Sequence, residues 1–353
     1  MAKIDRILEL LETRIARGDY AMTLFPTEHG LAEEMDIGRM TARRAILRLA
    51  EKGLLYRDAS GRMAVTTEHL AKRPIHVGFV TAILSPSVLR WLRAAEQSVQ
   101  EVGGHLRVVT YFHWDDPTLL EVMDSFDGVF LFPPAEPLSS QLAARILSSR
   151  ARVVVLEADY SPLGLPSVNL IPEDAVDVLL DHLVSLGHHQ IALLNTQPLV
   201  PSIEERIGQW QNGLFAHECE GELINEPELS YGDPMQRAYE VAKERFENGE
   251  GMSDSAVLCA TLPAALGFMR AASECDLVIG RDYSICTVDN EGMGLFLSPT
   301  LTSPLLTDPN VPLHDCVNWM AGEAWEGPLL KRAPHSDLFV GQSTGPRFYS
   351  LID

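Results

Sequence analysis

After Pro74, short apolar runs alternate with segments of helical periodicity, and this alternation restricts the possible folds more than any other feature of the sequence. The runs that predict strands are 77–81, 106–111, 128–132, 153–156, 191–194, 256–260 and 284–288. Helix-period segments lie between them, among others 88–102, 138–148, 175–186 and 263–273. Strands alternating with helices of this length build parallel sheets, and continuous apolar strands indicate sheets covered on both faces. Because about 280 residues is large for one sheet, we predict an α/β fold with two lobes.

The stretch 31–65 has a different pattern, that of two short helices followed by a hairpin. Apolar residues recur at the spacing of one buried helix face at Ala42, Ala45, Ile46 and Leu49. The opposite face of that predicted helix, 38–52, carries four arginines: Arg39, Arg43, Arg44 and Arg48. Two runs, 54–57 and 62–65, flank the turn sequence DASG and predict a hairpin. This order is typical of a winged helix-turn-helix, whose second helix enters the DNA major groove. Taken alone, the arginines fit an ordinary solvated helix face equally well.

The net charge of −21 is unevenly divided along the chain. Residues 1–73 hold 13 basic and 11 acidic residues, whereas the remainder holds 15 basic and 38 acidic ones. The predicted reading surface, 37–62, has seven basic residues against two acidic ones. This asymmetry favours contact with DNA at the N-terminal domain alone, although a large acidic domain is also simply a soluble one.

The N-terminal segment resembles the DNA-binding domain of the GntR family of bacterial regulators. The family's Pro-Ser-Glu-Arg is matched by PTEH at 26–29, and its Ser-Arg-x-Thr-Val-Arg-x-Ala-Leu by GRMTARRAI at 38–46. The resemblance implies that Arg39, Thr41 and Arg43 contact DNA, and that His29 stands where the family has a DNA-contacting arginine. The family's wing, Gly-x-Gly-Thr-Phe-Val, is matched only by Gly61 and Val65. The predicted DNA-binding set is Thr27, His29, Arg39, Thr41, Arg43, Arg44, Gly61 and Arg62.

The rest of the chain, about residues 75–345, resembles the sugar-sensing domain of the LacI family. The similar stretches are HLVSLGHHQIALL at 182–194, PSIEERIGQW at 201–210, AALGFMRAA at 264–272, YSICTVDN at 283–290 and SPTLTS at 298–303. The resemblance implies a fold like that of periplasmic sugar-binding proteins, with two α/β lobes and a ligand cleft between them. A GntR-like reader joined to a LacI-like sensor resembles the arabinose-repressor type of bacterial regulator.

Five residues are predicted to bind the ligand. The resemblance places Arg206 where the family has an arginine that grips ligand hydroxyls or a carboxylate, and Asp289 at the acid that ends a strand. Thr81 and Ser85 belong to the first loop of the sensor, and the resemblance places Tyr231 in a loop that, in the family, offers an aromatic platform for a sugar face. Each has a structural alternative: a surface arginine, a turn aspartate, a serine that only caps a helix, or a partly buried loop tyrosine.

Two further features bear on the ligand. Where relatives carry Asn-Asp before the AALG stretch, this chain has Thr261, Leu262 and Pro263, so the ligand need not be the usual one of the family. Glu157 and Asp159 follow another predicted strand. These two carboxylates either add acidic groups to the cleft or are only solvent-exposed charges at a hinge.

We therefore predict a winged helix-turn-helix domain at 1–66, a linker at 67–74, and a two-lobed effector-binding and dimerisation domain at 75–353. No cofactor or metal is expected, because the five cysteines have no CxxC spacing and the resemblance places the histidines at 182, 188 and 189 around the family's helix-to-strand turn. No apolar run reaches the ~20 residues of a membrane helix, and no signal peptide is recognised, so we expect a cytoplasmic protein.

The predicted function is that of a homodimeric repressor of carbohydrate-use genes. Its partners would be double-stranded operator DNA and a small polar effector, a mono- or oligosaccharide, that switches operator affinity. One alternative keeps the DNA reader with a non-sugar co-repressor such as a nucleobase. Another is a sugar-binding protein with a vestigial reader. An enzyme is not predicted, since the sequence has no Gly-rich phosphate loop, GxSxG or HExxH motif.

Overall fold

The computed structural model describes residues 3–17, 19–20, 25–58, 61–66, 74–82, 85–252, 255–333 and 335–347. Three predictions fall partly outside these ranges: the linker at 67–74, of which only Pro74 is described, the hairpin tip at 59–60, and residues 83–84 of the first sensor loop. No helix among the described residues is long and apolar enough to cross a membrane.

Helices and a hairpin form the N-terminal domain: α1 (Lys3–Arg17), α2 (Glu28–Glu34), α3 (Arg39–Glu51), β1 (Leu55–Arg57) and β2 (Met63–Val65). Leu11, Leu31 and Leu49 meet in one fully buried apolar cluster. β1 and β2 pair antiparallel, with Tyr56 opposite Ala64. The predicted helix 38–52 and hairpin strands 54–57 and 62–65 are thus confirmed to within one residue at each end.

The remaining elements alternate as the sequence predicts. In chain order they are β3 (His76–Thr81), α4 (Pro86–Glu101), β4 (His105–Thr110), α5 (Pro117–Ser125), β5 (Gly128–Phe132), α6 (Ser140–Leu147), β6 (Arg152–Leu156), β7 (Ser167–Asn169), α7 (Ala175–Ser185), β8 (Ile191–Asn195), α8 (Pro201–Ala216), β9 (Leu223–Asn225), α9 (Pro234–Glu247), β10 (Ala256–Cys259), α10 (Leu262–Glu274), β11 (Ser284–Thr287), β12 (Ser303–Pro304), α11 (Asn310–Met320), β13 (Leu330–Arg332) and β14 (Leu338–Phe339).

The first lobe is built on a parallel sheet with the order β13-β7-β6-β5-β3-β4 in the described residues. Phe79, Trp91 and Phe130 belong to one buried cluster of this lobe, which also includes residues of α11. Leu119 and Leu131 belong to a second cluster, which includes residues of α5 and α6. Helices therefore cover both faces of the sheet.

The second lobe is built on a parallel sheet with the order β11-β10-β8-β9 in the described residues. Its two apolar clusters are centred on Phe268, with α9 and α10, and on Trp210, with α7 and α8. His188 is buried in this lobe, where its ring nitrogens lie 2.7 Å from Ser255 Oγ and 3.0 Å from Ser284 Oγ. These bonds give that histidine a structural environment.

In the described chain, the backbone crosses between the lobes after β7, after β12 and after β13. These crossings lie beside β7 and β13 in the first sheet and beside β11 in the second. There, the backbone of Cys286 in β11 forms an isolated parallel β-bridge with that of Thr302. β4 and β9 form the opposite edges of their sheets. The cleft between the lobes therefore has a hinge end at the crossings and a mouth end at β4 and β9.

The predicted α/β fold with two lobes and parallel sheets is confirmed. The expectation that both faces of every strand are covered is wrong for β4. This edge strand has no buried residue, and its Val108 is exposed. The short strands β7, β9 and β13, three residues each, were not predicted, since three residues carry too little pattern to be recognised.

Candidate nucleic-acid interface and ligand cleft

The outward face of α3 presents the predicted DNA-binding arginines. α3 begins after Gly38 and buries Ala42, Ala45, Ile46 and Leu49 against the domain core, which turns the other face to solvent. The side chains of Arg39 and Arg43 are 74% and 58% exposed. Arg44 is exposed beside them, and Thr41 is partly buried in the first turn of the helix.

A carboxylate from α2 lies between two of these arginines. Glu28 Oε2 is 3.6 Å from Arg39 Nε, and Glu28 Oε1 is 3.8 Å from Arg43 Nε. Such exposed pairs contribute little to stability. Glu28 lies in the PTEH motif at 26–29, and this position was the signal in the sequence by which it could have been found.

The other predicted DNA-binding residues lie on the same domain with defined local roles. Thr27 caps α2, because its hydroxyl oxygen accepts a hydrogen bond from the Gly30 amide at 3.2 Å. His29 is exposed, with Nε2 3.3 Å from Glu33 Oε1. Gly61 has a left-handed φ of +80° in the wing turn, which favours glycine, and the Arg62 amide donates to Asp58 Oδ1 at 2.9 Å.

The centre of the interlobe cleft contains Arg206 and Asp289, both from the second lobe. Arg206 lies on α8, deep between the lobes, and its Nη1 donates to the Ala260 carbonyl at 2.6 Å. Burial lowers the pKa of Arg206, and the nearby carboxylates of Asp289 and Glu157 oppose that shift. Asp289 follows β11, and its Oδ1 accepts from the Glu291 amide at 2.9 Å. The structure thus brings these two predicted ligand residues to one place.

The first lobe contributes a carboxylate, Glu157, at the end of β6. Its Oε1 accepts a hydrogen bond from Ser87 Oγ at 2.5 Å and from Trp91 Nε1 at 2.6 Å. Burial raises the pKa of Glu157, and the charge of Asp289 raises it further. Of the two uses that the sequence left open for Glu157, the structure places it inside the cleft; Asp159 is exposed and bonded to Ser161.

Glu291 is a cleft residue that sequence analysis missed. It accepts a hydrogen bond from the backbone amide of Ser87, which joins the second lobe to the first turn of α4. Burial raises the pKa of Glu291 to about 7, with further contributions from Asp289 and Glu157. The available signal was its position two residues beyond Asp289 in the same loop.

The remaining predicted ligand residues occupy other positions around the cleft. Thr81 is fully buried at the end of β3. Ser85 caps α4, accepting from the Val88 amide at 3.2 Å, so the structural alternative weighed for it is realised here. Tyr231 lies at the mouth, where its hydroxyl donates to the Phe112 carbonyl of the first lobe. Their contacts with a ligand stay a prediction.

The lobes are in close contact at the centre of the cleft. The space beside Arg90, Glu157 and Asp289 has a volume of about 20 Å³, and the space beside Arg206 and Gln209 about 10 Å³. Ligand pockets in proteins are typically ~300–1,000 Å³. Neither space can hold a sugar-sized molecule, whereas a larger groove of about 730 Å³ lies beside Arg90 and Glu291.

The chain matches known proteins in both of its parts. Residues 3–65 match the bacterial regulatory proteins of the gntR family, and residues 180–305 match the periplasmic binding protein-like domain. The chain is 24% identical over 280 residues to the arabinose metabolism transcriptional repressor of Geobacillus stearothermophilus, covering 75% of each protein. It is 29% identical over 168 residues to the lactose operon repressor of Escherichia coli (strain K12), covering 47% of this chain and 45% of that protein.

A solved structure extends the likeness to the fold. A Lac repressor dimer bound to operator and the anti-inducer ONPF superposes with a TM-score of 0.63 at 20% identity, over 79% of this chain and 97% of that chain. Together these matches define the class as a DNA-binding transcriptional regulator with a two-lobed sensor. In particular, this chain joins a gntR-family helix-turn-helix domain to a periplasmic-binding-protein-like domain with a LacI-type fold.

Proposed function

We propose that this protein is a repressor of sugar-use genes whose affinity for operator DNA is switched by a small polyhydroxyl ligand. The observation that carries the proposal is the joining, in one chain, of an arginine-faced recognition helix to a hinged cleft with charged groups at its centre. The names of the relatives, repressors of arabinose metabolism and of the lactose operon, support the same function.

In this proposal α3 lies in the major groove and its arginines contact bases or phosphates. Arg39 and Arg43 turn from Glu28 to the DNA, which exchanges a weak exposed ion pair for contacts with a dense line of phosphate charge. Arg44, Thr41 and Thr27 flank them on the same surface. His29, Gly61 and Arg62 complete the proposed interface from α2 and the wing.

The ligand, in the same proposal, binds between Arg206 and Asp289 of the second lobe and Glu157 of the first. A guanidinium donates hydrogen bonds to sugar oxygens, and carboxylates accept them from sugar hydroxyls, so these groups together suit a polyol. Ser87 and Trp91 hold Glu157 in position from α4. Thr81, Ser85 and Tyr231 are proposed to line the same cleft when the lobes are apart.

We also propose that two copies of the chain act together. Leu89, Val108 and Phe296 are large apolar side chains that stand exposed on the sensor, Phe296 at 85%. Leu89 and Phe296 line one groove of about 730 Å³ between α4 and residues 291–296, and β4 is an edge strand in the described part of the chain. Exposed apolar surface of this kind marks protein contacts, and a dimer would read a two-fold symmetric operator.

The protein is further proposed to act by binding rather than by catalysis, and in the cytoplasm. The matched domains and relatives are regulators, which supports the first point. The proposed binding to operator DNA supports the cytoplasmic location, because the operator lies in the cytoplasm.

The direct test is to measure, by fluorescence anisotropy at fixed salt, the binding of the protein to DNA from the upstream region of its own gene. The full chain is expected to prefer this DNA over an unrelated duplex, and the Arg39→Ala, Arg43→Ala double variant to lose the preference. Arg270→Ala, on the exposed face of α10 in the sensor, is the matched control. Equal affinity of the wild type for both duplexes would refute the proposal.

A further inference from the structure

The mouth of the cleft, opposite the hinge, is closed by contacts of one loop of the second lobe with two loops of the first, which follow β4 and β5. Residues 229–232 follow β9 in the second lobe, and residues 112–116 follow β4 in the first. β4 and β9 are the sheet edges farthest from the three crossings. A contact at this place has the longest lever arm against opening of the lobes.

Hydrogen bonds of Ser230 and Tyr231 span the mouth, where the Tyr231 hydroxyl also lies 3.4 Å from Glu136 Oε1. Ser230 Oγ donates to the Ala135 carbonyl at 2.8 Å, and the Tyr231 hydroxyl donates to the Phe112 carbonyl. The Tyr231 ring also packs edge-on against the His113 ring, with the ring centroids 5.0 Å apart at an interplanar angle of 72°. This geometry is favourable for an aromatic pair.

On the first-lobe side of the contact, Glu136 is hydrogen-bonded to two neighbouring residues. His113 Nδ1 lies 2.6 Å from Glu136 Oε1, and Trp114 Nε1 donates to the Glu136 carbonyl at 3.0 Å. Trp114 is almost wholly buried beside Tyr111. Glu136 is therefore bonded to Trp114 and to His113, the residue that packs against the Tyr231 ring.

Tyr231 occupies a strained backbone position. Its φ is +72°, and the Gly232 amide donates to the Leu229 carbonyl at 2.9 Å, which closes a four-residue turn with Tyr231 in third place. A left-handed φ at that place is typical of a type II turn and strongly favours glycine. A bulky residue there is unfavourable unless its side chain makes compensating contacts, and such strain is concentrated at switches.

We propose that Ser230 and Tyr231 form a latch that holds the lobes closed at the mouth. Ligand access to Arg206 then requires this latch to open, so the latch lowers the apparent affinity for any effector and sets the population of the open form. The inference rests on the proposed function only in placing the effector between the lobes; the latch itself acts without ligand or DNA.

The test uses the full chain labelled with 5-fluorotryptophan and observed by ¹⁹F NMR, without DNA or ligand. Trp114 reports on the latch, whereas Trp91, which donates to Glu157, reports on the deep cleft and touches no latch residue. Trp210, Trp319 and Trp325 are internal controls. Single Trp→Phe variants assign the resonances.

Tyr231→Gly, which also removes the backbone strain, is expected to displace or split the resonances of both Trp114 and Trp91 and to leave the three control resonances in place. Tyr231→Phe, which loses only the hydroxyl, is expected to give a smaller displacement of the same two signals. Phe215→Leu, an exposed aromatic on α8 of the same lobe, is the matched control and is expected to displace neither.

A Trp91 resonance unmoved in Tyr231→Gly would overturn the latch, because the cleft would then be closed without it. If the control resonances also move, the glycine variant has disturbed the whole fold and Tyr231→Phe decides: unmoved Trp91 and Trp114 signals overturn the proposal. A protein that binds no operator and no sugar would still give these outcomes, so failure of the proposed function is distinguished from failure of the latch.

Discussion

Arg332 of the first lobe and Glu205 of the second form a two-bond ion pair at the hinge end of the cleft. Arg332 Nη1 and Nη2 donate to Glu205 Oε1 and Oε2 at 2.8 and 2.9 Å, and Nε donates to the Ile171 carbonyl at 3.1 Å. The forked geometry of an arginine suits this arrangement, which a lysine cannot reproduce. The pair joins the lobes at the hinge end, whereas the contacts of Ser230 and Tyr231 join them at the mouth.

Loss of this pair is expected to destabilise the sensor. Arg332→Met leaves a partly buried Glu205 without its partner, and we expect the free energy of unfolding to fall by about 1–3 kcal/mol. Arg270→Met breaks an exposed pair with Glu274 and is expected to cost about 0–1 kcal/mol. Urea unfolding of both variants measures the difference; equal losses would mean that the Arg332 pair has no special role.

The recognition helix gives a prediction about salt dependence. If Arg39 contacts phosphate, Arg39→Ala is expected to lower the slope of log affinity against log salt by about 0.9 and to weaken binding to every duplex alike. If Arg43 contacts a base, Arg43→Ala is expected to cost ~1–3 kcal/mol on the operator alone. Anisotropy titrations at several salt concentrations separate the two roles, and unchanged curves for both variants would exclude α3 from the interface.

His29 stands at a position where the GntR family has a DNA-contacting arginine, which gives a gain-of-function prediction. His29→Arg adds a charge on the exposed face of α2 and is expected to tighten operator binding, with the salt slope steeper by about 0.9. His335→Arg, on the sensor, controls for the added charge itself. An equal gain in both variants would show that net charge, not position, is responsible.

Arg206 provides the sharpest prediction for the cleft. Arg206→Lys retains the charge but loses the fork, and we expect it to weaken sugar binding about 10–100-fold in calorimetry of the full chain. Its unfolding midpoint should stay near that of the wild type, because a cation still faces Asp289 and Glu157. Wild-type affinity in Arg206→Lys would remove Arg206 from the ligand site.

Glu291 predicts a pH dependence of stability. Burial, with smaller effects of Asp289 and Glu157, raises its pKa to about 7 in the folded protein, so the folded state holds a proton that the unfolded state releases. The resulting stabilisation is present at low pH and is lost as the pH rises through about 7. Glu291→Gln is expected to flatten the fall in unfolding midpoint between about pH 5 and about pH 7. Glu96→Gln, on the exposed side of α4, should keep the wild-type slope.

Local patterns account for what could be predicted from the sequence. The strands 128–132 and 191–194 and the arginine-faced helix were predicted because a single period decides each of them. β4 was predicted as a strand, but its exposure depends on its place at the edge of a sheet, which no local pattern encodes. The contacts of Tyr231 with Phe112 and of Glu291 with Ser87 join residues more than a hundred positions apart and exist only when two lobes meet. Those parts of the site needed the structure.

The most direct test of the central claim is operator binding by the full chain with and without a panel of pentoses, hexoses and disaccharides, measured by fluorescence anisotropy at one salt concentration. We predict specific binding that one sugar weakens about 5–150-fold, the range of a coupling of ~1–3 kcal/mol. Specific binding that responds to no sugar but to a nucleobase would contradict the sugar assignment. The absence of specific binding under every condition would contradict the repressor itself.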